Sequence, residues 1–515
     1  MSFQGVAFSS VLFEDPGPAA TPNSRPPDFF RDLHLDLVIG AILARREEYE
    51  LASFFYSPLT DTHTVLYRQE VCRDLDDSDL ADCVRAFAER MHRARSFLKG
   101  MSQIETPYFK QGWFLDAAEN YWWAVTNLLD GLGHLPVRSR GLKRLKDYLD
   151  GYVSSEEFVA LGREVRELRN DLAGIQYSML IRGTRVTVAP YEGEPDYSLE
   201  IEQTFAKFKQ GAVRDFLTDY RDLRDANHVQ AQVLERLARL YPDIFARLER
   251  CCAAHRDFID PTIRDFDREV QFYLAYLEYV QKLTDAGLPL CYPEVSAHSK
   301  EVSVQAAYDI ALAGALVPRG APVVTNDIHL EGSERILVVT GPNQGGKTTF
   351  ARLFGQLHFL ASLGLPVPAR RARLVLPDRI FTHFEREERL ESLRGKLDDE
   401  LVRVRDVLAQ ATGRSLLVMN ESFSSTTLAD SLFIGTKVLE LVSELSALCV
   451  YVTFVDELAS LNKATVSVVA DVVPEDPDVR TFKLTRRPAD GRAYAMAIAR
   501  KYGLTYASLT GRKAP

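Results

Sequence analysis

The sequence predicts a multidomain α+β protein: an N-terminal half of helices carrying one small β-containing insertion, then a C-terminal α/β domain built around a phosphate-binding loop (P-loop). Three observations carry this. At 515 residues the chain exceeds what one hydrophobic core organises. Apolar residues recur at three and four along most of the first 290 residues. Beyond that point short apolar runs alternate with helical patterns, and one run feeds a complete G-x-x-x-x-G-K-[ST] match.

Residues 1–28 read as a disordered arm or linker, because Pro16 to Asp28 (PGPAATPNSRPPD) is Pro-rich and broken by Asn and Ser. Residues 29–290 form the helical region. Its spacing is seen in Leu80, Cys83, Val84, Phe87 and Met91. An insertion is expected over about 138–211, with a β-hairpin from Tyr177 to Val188 that turns at Arg182-Gly183-Thr184. Residues 291–515 form the α/β domain, in which Ile336–Thr340, Ser415–Met419 and Leu448–Phe454 have the continuous apolar texture of buried parallel strands.

The composition is that of an ordinary globular protein: 46% hydrophobic, 26% charged, formal charge −10, pI near 5.6 and mean hydropathy −0.14. An acidic balance leaves no global nucleic-acid footprint, so any DNA contact is local. Six cysteines without C-x-x-C pairing suggest reduced, buried thiols, with Cys251-Cys252 as packing and no zinc site. No basic signal-peptide start and no apolar stretch of membrane length occur, so a cytoplasmic protein with no membrane partner is expected.

Gly341, Pro342, Asn343, Gln344, Gly345, Gly346, Lys347, Thr348 and Thr349 make the strongest local signal. The glycines let the backbone curl around phosphates, Lys347 supplies charge to the β/γ oxygens, and the Thr348 hydroxyl suits Mg²⁺. This predicts ATP or GTP binding. Hydrolysis also needs an acid at a neighbouring strand end. There Leu416–Glu421 offers Asn420, an uncharged metal-side residue, and Glu421, the candidate general base, with Lys347 as its catalytic partner.

Three segments together, VTGPNQGGKTT, LGLPVPARRARLVLPDRIFTHF and SLLVMNESFSSTTLADS, resemble the MutS family of DNA mismatch repair proteins. Upstream, Val323-Val324-Thr325-Asn326-Asp327 is similar to the family's adenine-flanking segment, with Val323 where an aromatic is usual and Asn326 nearby. Pro58 to Leu75 resembles part of the family's core helices. The resemblance implies an ABC-type ATPase domain, a helical core with lever and clamp, ATP and Mg²⁺ as cofactors, and a homodimer whose protomers complete each other's sites. Gly395 and Lys396 occupy the place of the family's Ser-Thr signature, which reaches the partner's γ-phosphate. Phe454 stands where the family has a histidine. The resemblance does not extend to a mismatch-recognition domain before the core helices.

For DNA the candidate phosphate contacts are Arg138, Arg140, Lys143, Arg144, Arg182 and Arg185, in the region that corresponds to lever or clamp. Tyr121, Trp122 and Trp123 are expected in a core or seam. Two functional readings stand. One is a DNA-dependent ATPase clamp for structured DNA in repair or recombination. The other is a slow or non-hydrolysing nucleotide-gated scaffold that recruits protein partners.

Overall fold

A computed structural model describes residues 8–15, 23, 25–183, 185–194, 228–385, 395–473 and 476–489. Among the described residues the fold is mixed, with helices and three sheets. Among the described residues no helix is long and apolar enough to cross a membrane.

Two compact units emerge from the packing. One holds Asp76–Val137 and Leu142–Asp267, with Phe8 at its margin; the other holds Ser9–Leu75, Arg138–Gly141 and the chain from Arg268 onward. The change of sequence texture near residue 290 does not coincide with these boundaries. The reason is long-range packing inside the second unit. Gln69 Nε2 donates to Pro293 O at 3.1 Å, Tyr276 Oη donates to Pro366 O at 2.6 Å, and the buried Arg68 guanidinium donates to Leu12 O and Leu363 O.

The expectation of a disordered arm is corrected for residues 8–15. Val11 and Leu12 are fully buried, and Ser10 Oγ and the Val11 N–H both donate to the Glu269 carboxylate at 2.8–2.9 Å. Two adjacent apolar side chains beside a bonded hydroxyl suffice to pin this short segment. Residues 16–22 and 24, most of the Pro-rich stretch, lie outside the described residues.

The first unit is helical, with long helices Ser78–Met101, Pro107–His134 and Glu156–Ala173. Asp77 and Ser155 cap two of them by accepting backbone N–H bonds. Tyr121 is fully buried and shares a 2.8 Å hydroxyl bond with Tyr152, and Trp122 stacks on Phe158, whereas Trp123 is 42% exposed. The cluster therefore packs through two of its three rings. The predicted hairpin is present as β1 (Tyr177–Arg182) and β2 (Arg185–Pro190), antiparallel, with Gly183 at φ +62° in the turn. Residues 195–227, the rest of the expected insertion, lie outside the described residues.

In the second unit, β3 (Glu294–Ser296), β4 (Val302–Ala307), β5 (Asn326–Leu330) and β7 (Arg371–Val375) form a sheet in the order β3-β7-β4-β5. The larger sheet takes β6 (Ile336–Thr340), β8 (Ile380–Phe384), β9 (Leu416–Asn420), β10 (Leu448–Val452), β11 (Thr465–Val473) and β12 (Asp476–Arg486) in the order β12-β11-β6-β10-β9-β8. Five of its strands are parallel and β12 is an antiparallel edge. All residues of β6, β9 and β10 are buried, as continuous apolar runs demand of strands covered on both faces. Ile336, Val338, Leu417, Met419, Cys449 and Tyr451 share one core with the helices Lys396–Gln410 and Leu428–Leu445. The helix Lys347–Ser362 packs on β9 and β10 and is itself almost wholly buried. Phe29 and Phe30 pack edge-on against its Phe359, and a Cβ at Gly355 would strike Leu33.

Candidate nucleotide site

The carboxyl ends of three neighbouring parallel strands converge here: Gly341 follows β6, Thr453-Phe454 follow β10 and Glu421 follows β9. Open α/β sheets place their ligands outside such strand ends. A cavity of about 650 Å³ lies at this edge, lined by Asn343–Thr349, Glu421, Phe454, Phe482, Val323, Val324 and Asn326 among others. That volume suits a nucleotide-sized ligand.

The loop has the conformation its glycines predict. Gly341 has φ +116° and Gly346 φ +92°. A Cβ on Gly345 would come within 2.9 Å of Pro342 O and 3.0 Å of Ala470 Cβ, so only glycine fits. Gln344 adopts φ +60°, a left-handed turn carried by a residue with a side chain. The loop runs into the N-terminus of the helix Lys347–Ser362, where free backbone N–H groups concentrate positive potential.

Lys347 is 4% exposed, and its ammonium donates to Gly341 O at 2.9 Å, Pro342 O at 3.1 Å and Asn343 Oδ1 at 3.3 Å. It also sits 4.5 Å from the centre of the Phe454 ring. Burial lowers its pKa from the ordinary 10.5 to about 8; Glu421 and Asp456 act the other way, and Arg480 adds to the depression. This ammonium is thus held by neutral dipoles and an aromatic face at some desolvation cost.

Glu421 has φ +52°, and its N–H donates to Val452 O at 3.0 Å, which fixes the turn out of β9 toward the cavity. Asn420 is buried and, among the described residues, its Oδ1 has no hydrogen-bond partner. An orphaned acceptor beside Glu421, with Thr348 on the cavity wall, fits the demands of an oxygen-ligated Mg²⁺ and its waters. Val323 also lines the cavity. Asn326 does too, but its amide is spent on β12: Nδ2 donates to Phe482 O at 3.1 Å, and Oδ1 accepts from Leu484 N–H at 2.8 Å.

Three contributors were not found from the sequence. Phe482 reaches the cavity with φ +57°, and Arg480 Nε donates to Asn343 O at 3.2 Å; both lie on the edge strand, about 135 residues from the loop they meet. Glu400, 1% exposed, accepts from the Phe423 N–H at 3.0 Å and so steadies the turn after Glu421. A buried helix glutamate has no local sequence signal.

The family model described as MutS domain V matches residues 337–512, which contain the loop, β9 and the edge strand. The DNA mismatch repair protein MutS of Chlorobium phaeovibrioides is 29% identical over 277 residues, 52% of this chain and 30% of the relative. That of Zymomonas mobilis is 34% identical over 194 residues, 37% of this chain and 22% of the relative. That of Thermotoga maritima is 26% identical over 302 residues, 52% of this chain and 37% of the relative. Residues 337–512 thus match MutS domain V, and the chain is similar to these MutS proteins over up to 52% of its length. Each of these matches covers between 22% and 37% of the relative's own length.

Gly395 and Lys396, within the matched residues, are not among those that line the cavity. They start the helix Lys396–Gln410, and Lys396 is ion-paired with Glu385. Residues 386–394 lie outside the described residues. The expected DNA patch needs one correction. Arg140 is committed to a carboxylate network: its Nε and Nη2 donate to Glu70 at 3.0–3.2 Å and its Nη1 pairs with Glu14. Both partners are distant in sequence, so the charge run alone concealed them. Arg138, Lys143, Arg182 and Arg185 are exposed. Arg138 and Arg140 belong to one compact unit, while Lys143, Arg144 and the hairpin arginines belong to the other.

Proposed function

We propose that this chain binds ATP with Mg²⁺ in the cavity at the strand ends, as the MutS-type P-loop ATPase of a dimeric clamp that holds structured DNA without reading its sequence. The observation that carries the reading is Lys347, a buried ammonium held by loop carbonyls where a triphosphate would offer it charged oxygens. Backbone N–H groups of the loop and the following helix bind phosphate. Lys347 exchanges Gly341 O and Pro342 O for phosphate oxygens. Thr348 and Asn420 would hold Mg²⁺, which when bound neutralises phosphate charge. Glu421 accepts the proton of the attacking water. Lys396, freed from Glu385, contacts the partner copy's phosphate. Arg138, Lys143, Arg144, Arg182 and Arg185 supply the DNA phosphate contacts.

A second reading, a slow nucleotide-gated scaffold for protein partners, is favoured by Asn420, which brings no charge to the metal, and by Phe454, which cannot act as a proton donor. Steady-state ATP hydrolysis with and without branched duplex DNA separates the two, with Lys347→Ala as the blank. Turnover that rises with DNA and falls to the blank in Glu421→Gln supports the clamp. Tight binding with no turnover above the blank supports the scaffold. A salt titration of DNA binding tests the clamp's phosphate contacts, since affinity carried by them falls steeply as salt rises.

A further inference from the structure

Within the helical unit, the helices Glu156–Ala173 and Pro242–Ala254 pack together. Cys251 lies in the last turn of the second and His255 just past its end, four residues on, so both occupy one face. Glu164 comes from the facing helix, with its Oε2 3.2 Å from His255 Nε2. The Cys251 Sγ, a His255 ring nitrogen and a Glu164 carboxylate oxygen all lie within 4.8 Å of one another. We propose that Glu164, Cys251 and His255 form a three-ligand site for a borderline-soft divalent cation of the zinc kind, bridging these two helices.

A thiolate, an imidazole and a carboxylate are a zinc donor set. Bond lengths of about 2.0–2.3 Å set tetrahedral ligand atoms roughly 3.3–3.8 Å apart. Closing from 4.8 Å therefore asks for a shift of about 1 Å, which side-chain torsions supply. A plain His255–Glu164 ion pair accounts for two of the three groups, but it does not require a 3%-exposed thiol at the same point. The neighbouring thiol marks the difference: Cys252 Sγ lies 4.0 Å from Gln111 O and takes no part in the cluster. His255 also lines a cavity with Glu156, Glu157 and Asp257, whose carboxylates attract a cation toward this end of the helix. Burial, with the Glu164 carboxylate, pushes the Cys251 thiol up to about 12, so the incoming cation displaces a proton that leaves to water.

The test is Co²⁺ titration of the full chain, followed by displacement with Zn²⁺. The site predicts one ion per chain with the intense visible bands of four-coordination, a sulfur-to-cobalt charge-transfer band, and a rise in Tm on adding Zn²⁺. Cys251→Ser should lose the sulfur band, His255→Ala and Glu164→Gln should weaken binding at least about tenfold, and Cys252→Ser should change nothing. If Cys251→Ser fails to fold, the band in Cys252→Ser together with its loss in His255→Ala still decides. A weak six-coordinate spectrum without a sulfur band overturns the proposal, as does a band that disappears in Cys252→Ser.

Discussion

Lys347 and Arg140 are both cations that stand out in the sequence, and their surroundings differ in kind. Lys347 is buried among carbonyl oxygens and one aromatic face, and burial lowers its pKa to about 8. Arg140 is gripped by Glu70 and Glu14, and the hydrogen-bonded Glu70 carboxylate raises its pKa above the usual arginine value. On the proposed reading, a cation kept for an anionic ligand is desolvated and left to neutral dipoles. A cation that serves the fold is already neutralised. This difference sorts basic residues better than their clustering along the chain.

Removing each cation sharpens the contrast. Lys347→Ala should weaken ATP binding about 10- to 100-fold, the loss expected for about 1.5–3 kcal/mol of charged hydrogen bonding, with the fold intact by circular dichroism. An unchanged Kd by calorimetry would break the comparison. The pH dependence comes next. Because the free Lys347 pKa is depressed to about 8 and phosphate oxygens favour its charged form, ATP affinity is full below pH 8 and declines as pH climbs above it. Calorimetry in buffers of different ionisation enthalpy should therefore show proton uptake on binding near pH 8.5, and Lys347→Met should abolish it.

Arg140→Ala should act on stability instead. Removing the arginine from the mostly buried Glu14, which keeps His63 at 3.0 Å, and from the half-buried Glu70 costs roughly 1–2 kcal/mol in urea unfolding, discounted for the solvent that reaches the pair. ATP affinity and the salt slope of DNA binding should not move. The smallest effect belongs to Phe454→Leu. Its ring stabilises Lys347 in the resting position by about 0.5–1 kcal/mol. Removing it should tighten ATP about two- to fivefold, read as a Kd ratio.

Much of the fold, and the loop conformation at the centre of the candidate site, were legible in the sequence. The loop glycines and Lys347 are fixed by local backbone needs, and β6, β9 and β10 are buried on both faces, so their apolar runs are continuous. The hairpin turn at Gly183 is equally local. What escaped is non-local. Phe482 and Arg480 reach the loop through the antiparallel pairing of β12 with β11. Arg140 finds Glu14 across 126 residues of chain. The convergence of Glu164 with Cys251 and His255 depends on two helices packing face to face, which spacing within one helix does not encode. The disordered-arm expectation failed over residues 8–15 for the same reason, because Glu269, the group that holds Ser10 and Val11, lies far along the chain.

The central claim is that the Lys347 cavity is a triphosphate site, and the most direct test is calorimetric titration of ATP·Mg²⁺ into the purified chain and into Lys347→Ala. The account predicts saturable binding at one site per chain, accompanied by proton uptake above pH 8, both sharply reduced in the variant. Equal binding by the two proteins, or none by either, would contradict it.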